Sequence, residues 1–102
     1  MVRRKRIIWT INAKKEFIET CSFWNRNNKS PHYSIKLRKL VNAATERISL
    51  FPYGGIPSLF QDVRFIVVKD YLLFYNVSDK AIYILSFWDG RQDPYKLKKR
   101  LE

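Results

Sequence analysis

The sequence predicts an α+β fold in a single domain spanning residues 1–102. The expected parts are an N-terminal strand, an antiparallel helix hairpin packed on a mainly antiparallel sheet of about four strands, and a short C-terminal helix. Three observations carry this. A chain of 102 residues has room for one hydrophobic core. Apolar residues recur every three to four positions between residues 13 and 48. Three β-rich runs, separated by short polar breaks, fill residues 63–87. A hydrophobic fraction of 46% with sixteen aromatics fills the core without staples and excludes disorder despite the charge.

In chain order, Lys5-Arg6-Ile7-Ile8-Trp9 alternates charged with apolar residues at its start, as a short strand at or near a sheet edge does. Thr10 or Asn12 then caps a helix. Ala13, Phe17, Cys21 and Trp24 line one face of that helix to about Asn25, and Lys14, Lys15, Glu16 and Glu19 take the other side. The polar stretch Arg26 to Pro31 has the length of a helix-to-helix connection. Tyr33, Leu37, Leu40, Val41, Ala44 and Ile48 keep the helical period through a second helix.

Proline and glycine in Phe51-Pro52-Tyr53-Gly54-Gly55-Ile56-Pro57 end that helix and supply a turn. Val63 to Val68, Tyr71 to Tyr75 and Ala81 to Phe87 then form an antiparallel meander, because Lys69-Asp70 and Ser78-Asp79 leave no length for a crossover. After Pro94, residues 95–101 make one or two helical turns with four basic residues, too short to be stable alone.

Twenty Lys and Arg against nine Asp and Glu give a net charge of +11 and a pI near 10. That surplus steers a small protein toward phosphate backbones, acidic protein partners or anionic surfaces, with a plain solubilising surface as the bland alternative. Cys21 is the only cysteine, which excludes an intramolecular disulfide and a cysteine metal site, and its spacing from Phe17 and Trp24 places it inside a helix face. His32, the only histidine, follows Pro31 at a helix start and reads as a surface residue without a catalytic role. Met1 to Arg6 is charged like a signal-peptide start, but only Ile7-Ile8-Trp9 follows as an apolar run. The longest apolar runs are far short of the roughly 20 residues a membrane span needs, so the expected location is cytoplasmic, with no membrane partner.

The order of elements, Val63-Arg64 followed by Val67-Val68, Tyr71 and Tyr75, and the closing phrase Ile84-Leu85-Ser86-Phe87-Trp88-Asp89-Gly90-Arg91-Gln92-Asp93-Pro94 resemble the RelE/ParE superfamily of bacterial toxins. The resemblance covers nearly the whole chain. It implies the toxin of a type II toxin–antitoxin pair, held inactive by a cognate acidic antitoxin that complements the positive charge. One branch cuts mRNA in the ribosomal A site; another, the ParE-like branch, blocks DNA gyrase without chemistry.

The working expectation is the ribosome-dependent endoribonuclease, partnered by the ribosome and mRNA. Gyrase inhibition, or a degenerate member that binds antitoxin without toxicity, is the alternative. RNA cleavage of this type uses the 2′-hydroxyl as nucleophile and needs no metal or other cofactor; it needs a base, an acid and cations around the phosphorane. The resemblance gives Arg64 and Arg91 to the phosphorane, assisted by Lys69, and Asp89 or Tyr95 to proton transfer. Trp88 is the candidate to stack on a base.

Arg3, Arg4 and Arg6 at one end and Lys98, Lys99 and Arg100 at the other are candidate phosphate contacts, antitoxin contacts or solvated ends. Structural explanations stand beside these. Arg91 between Asp89 and Asp93 reads equally as a surface ion-pair set, and Trp88 as a cap on the core. The sequence also departs from the nuclease pattern. No histidine lies near the last strand, and Gly55-Ile56-Pro57-Ser58 stands where nucleases carry a loop Glu or Lys.

Overall fold

The computed structural model describes residues 4–101; Arg3 lies outside the described residues. Strand β1 (Arg6–Trp9) leads into helices α1 (Ile11–Asn28) and α2 (His32–Leu50), then a 3-10 turn (Pro52–Gly54). Strands β2 (Ile56–Pro57), β3 (Val63–Val68), β4 (Tyr71–Val77) and β5 (Ala81–Asp89) follow, and helix α3 (Pro94–Leu101) closes the described chain.

The sheet has the order β1-β5-β4-β3-β2, antiparallel throughout except for β1, which runs parallel to β5. The helix hairpin between β1 and the meander makes this parallel pairing possible, since a parallel neighbour needs a long crossover. The fifth strand is β2, two residues inside the stretch read as a turn: Ile56 and Pro57 pair with Phe65 and Arg64 at the sheet margin, where proline is tolerated.

Helix α1 outruns its expected end by three residues. Lys29 adopts the left-handed conformation (φ 52°) that terminates a helix, so Lys29 to Pro31 alone make the connection. At the other end Thr10 caps α1 by accepting from the Ala13 N–H (3.3 Å), and its hydroxyl donates to the Ile84 carbonyl (2.8 Å), which ties the helix start to β5.

The two faces of the sheet are covered differently. Leu37, Val41, Ala44 and Ile48 of α2 and Ala13 of α1 bury one face against Leu73, Tyr75, Ile82 and Ile84. Cys21 is buried within α1, as its spacing indicates, and burial pushes its thiol pKa up. On the other face a smaller cluster of Phe74, Trp88 and Leu97 forms beneath α3, with Phe60, Phe65, Leu85 and Leu101 packed against it. A bulge in β5 switches the alternation: Phe74 faces Ser86 while Tyr75 faces Ile84, leaving Leu85 as the extra residue.

The turn after α2 is clamped by β3 and β4. The fully buried Tyr75 hydroxyl donates to the Pro52 carbonyl (2.8 Å) and accepts from the Gly55 N–H (3.0 Å). Arg64 donates to the Tyr53 and Gly55 carbonyls (3.2 and 2.9 Å) and lies 5.4 Å from the Tyr53 ring centroid. A Cβ on Gly55 would stand 2.3 Å from the Tyr75 hydroxyl, so this position requires glycine for space rather than for φ. We expect Gly55→Ala to destabilise the fold by about 1–3 kcal/mol, as overpacking does. Tyr75→Phe should cost a similar amount by stranding two backbone groups. Urea unfolding of both variants measures this.

Candidate functional site

The exit of β5 is shaped by where β1 stops. Pairing with β1 ends at Ile84, so β5 from Leu85 onward needs other partners along that edge. Glu16 and Arg100 provide them. The Arg100 guanidinium donates to the Leu85 carbonyl (3.0 Å) and to the Glu16 carboxylate (3.3 Å). The same carboxylate accepts from the fully buried Ser86 hydroxyl (3.1 Å) and, at 3.4 Å, from the Phe87 N–H.

Glu16 therefore does not belong to the solvated side of α1 where its charge had placed it; it is half-buried against β5. Arg100, read from the sequence as a phosphate contact, an antitoxin contact or a solvated end, is likewise half-buried and held by Glu16. Sequence inspection missed Glu16, although it stands three residues after Ala13, at the margin of the buried stripe.

Beyond Trp88 the chain turns sharply. The Arg91 guanidinium grips Asp89 with two parallel bonds, Nε to Oδ1 and an Nη to Oδ2, each 3.0 Å, and the Arg91 N–H also donates to Oδ1 (3.0 Å). Asp93 then caps α3 by accepting from the Tyr95 N–H (3.0 Å). The Gly90 N–H donates to the Asp70 carbonyl (2.9 Å), so the Lys69-Asp70 turn abuts this end of β5. Lys69 is exposed there with a left-handed backbone (φ 58°).

The residues singled out from the sequence fall into separate places. Asp89, Arg91 and Trp88 line one cleft of about 430 Å³ against α1, together with Glu16, Glu19 and Phe23. Trp88 is buried, with only 9% of its surface accessible, and its ring belongs to the cluster with Phe74 and Leu97, which removes its face from a stacking role. Tyr95 is 76% exposed on α3, lining a different groove on the other side of the sheet.

Arg64 aligns with Tyr75 whereas Asp89 aligns with Tyr71, on opposite neighbours of β4. Four residues along β4 are about 13 Å, and two strand spacings add roughly 9.5 Å across. Arg64 thus shares no phosphate with Arg91. Arg4 meets Glu46 at 3.5 Å on the surface, Arg6 is exposed on β1, and Lys98 and Lys99 are exposed on α3.

The electrostatics of the β5 exit follow from the grip on Asp89. Hydrogen bonds from the Arg91 side chain hold the Asp89 carboxyl below the usual aspartate range, against the opposing effect of burial, and Arg91 is held all the more firmly in its charged form. A carboxylate so held is a weak base, and the pair orders the turn. Because the folded-state pKa is depressed, the stabilisation from this pair is present above the unfolded-state value and is lost as pH falls through the folded one. Carboxyl NMR titration should find Asp89 below the ordinary aspartate pKa of about 3.9. Arg91→Ala should return it upward.

The geometry can be set beside known proteins. The family model described as the ParE toxin of type II toxin–antitoxin system, parDE, matches residues 7–94. A solved structure titled "Chromosomal ParDE TA system from P. aeruginosa" superposes with a TM-score of 0.70 at 17% identity, covering 84% of this chain and 96% of that chain. At that identity the likeness is one of fold. No curated protein matches. With the family model spanning β1 through the start of α3, on the same strand, hairpin and meander built above, this chain belongs to the ParE toxin family of type II toxin–antitoxin systems.

Proposed function

We propose that this toxin acts by binding rather than by cutting RNA, and that its target is DNA gyrase, as the ParE-like branch implies. The observation that carries the reading is the dispersal of the groups a metal-independent nuclease would need. Cleavage asks for a base, an acid and phosphate-binding cations around one phosphorus atom. Here Arg64 clamps a turn at one end of the sheet, Asp89 is locked to Arg91 at the other, and Tyr95 stands on the opposite face. Trp88 is packed away from solvent.

The ribosomal nuclease is the second reading. In it Arg91, with Lys69 at the adjoining turn, would meet the phosphate and Asp89, which shares the Arg91 cleft, would move the proton, while Arg64 and Tyr95, also expected at the phosphorane and the proton, stand outside that cleft. The net charge of +11 suits an acidic antitoxin as the neutralising partner under either reading. Gyrase or ribosome, the target is cytoplasmic, and no described helix is long and apolar enough to cross a membrane.

Purified protein added to a gyrase supercoiling reaction should arrest supercoiling at stoichiometric amounts. Asp89→Asn should inhibit within threefold of the parent. In a reconstituted translation reaction the message should stay intact. Unimpaired supercoiling together with ribosome-dependent cuts in the A-site codon would overturn this reading in favour of the nuclease.

A further inference from the structure

The outward side of helix α2 carries charge of one sign. Lys36, Lys39, Ala43 and Arg47 follow one another at helical spacing, so they share one stripe, and all four are exposed. None of the three cations pairs with a carboxylate among the described residues, whose ion pairs are Arg4–Glu46, Arg91–Asp89 and Arg100–Glu16. The acids of the hairpin leave the stripe unopposed. Glu46, the one acid of α2, meets Arg4; Glu16 holds Arg100; Glu19 lines the cleft beside β5. The first turn of α2 contains no acid, so the positive end of the helix dipole adds to the same sign.

The shape of the stripe narrows its partner. From Lys36 to Arg47 is about 16 Å along the helix, a length over which a duplex presents roughly nine phosphate charges. Ala43, between Lys39 and Arg47, keeps the middle of the stripe low and lets a backbone approach the helix. Arg38 lies 5.8 Å from the centre of the Phe17 ring and belongs to the seam with α1 instead. Ile35 and Leu40, 48% and 37% exposed, fall on opposite sides of the stripe and make no continuous apolar floor of the kind a protein partner buries. Nor does the helix expose a Phe, Tyr or Trp on which an unpaired base could stack, since Tyr33 is half-buried against Trp24. What is left is a line of point charges suited to the backbone of a paired nucleic acid.

We infer that the outer stripe of α2 binds the phosphate backbone of duplex DNA without reading its sequence, with Lys36, Lys39 and Arg47 each meeting a phosphate. Each contact releases a counterion, so affinity falls as salt rises, with a slope of log K on log salt of about −2.7 for three contacts. This contact goes beyond the proposed action on gyrase and does not depend on it. Loose, sequence-independent holding of this kind concentrates the toxin on DNA, where enzymes that act on DNA are found.

The test reads fluorescence anisotropy of a labelled duplex of about 30 base pairs and arbitrary sequence, titrated with the purified protein between about 50 and 200 mM salt. Lys36→Ala combined with Lys39→Ala removes two charges from the stripe, and Lys80→Ala combined with Lys96→Ala removes two exposed charges from the β4–β5 turn and from α3. Alanine favours the helix, and urea unfolding verifies the fold of both double variants. The α2 variant should lose about tenfold or more in affinity at the lower salt and about 1.8 of the slope, while the control loses less than about threefold. A smaller loss in the α2 variant, a larger one in the control, or tighter binding of a single strand of the same length overturns the inference. So does an absence of binding by the parent protein at the lowest salt. The reaction contains no gyrase, so each of these failures leaves the proposed target standing.

Discussion

The Glu16 carboxylate is the contact on which the arrangement of this small protein most depends. It belongs to α1, accepts from Ser86 and Phe87 of β5, and holds Arg100 of α3, so one side chain joins the helix hairpin, the central sheet and the C-terminal helix. Its position answers a definite need. The edge of β5 is left bare where β1 ends, and backbone groups without water must find partners. A carboxylate from one side and a guanidinium from the other supply them. The pair is partly shielded, with about a quarter of each side chain accessible, so it is less screened than a surface pair.

From this contact the division of the molecule follows. The hairpin face of the sheet is closed by two long helices that bury Leu37, Val41 and Ile48, and it forms the stable body. The other face relies on eight residues of α3, which cannot hold a helix by themselves and stay in place through Leu97, Leu101 and Arg100. Most of the cationic surplus of α3 therefore faces water while its one inward arginine is neutralised. The Asp89–Arg91 grip, which turns the chain from β5 into α3, completes this arrangement; it spends both residues on local order rather than on a shared reactive centre.

Much of the fold was legible because its signals are local and periodic. The hairpin showed itself in Ala13, Phe17, Cys21 and in Leu37, Val41, Ala44, Ile48, and the meander in β-rich runs broken by two-residue turns. Strand β2 was not legible, since two residues containing a proline carry no pattern; its pairing is decided by the clamp of Arg64 and Tyr75 on the preceding turn. Helix α1 ran past its expected end because a left-handed Lys29 supplied the stop that Asn residues had suggested earlier. The site was harder. A sequence shows that Asp89, Arg91 and Arg64 exist, but not that the first two bind each other or that the third lies at the far end of the sheet. Glu16 escaped notice because charge on a helix usually means solvent, and its pairing depends on residues seventy and more positions away.

The most direct test of this account is native-state hydrogen exchange on the parent protein and on Glu16→Gln. Loss of the charge should release α3 and the edge of β5 together: amides of residues 96–101 and of Phe87 should exchange faster by the same factor, while those of α2 and β4 keep their protection. Unchanged protection of α3 in Glu16→Gln, or a uniform loss across the whole molecule, would contradict the role given to this carboxylate.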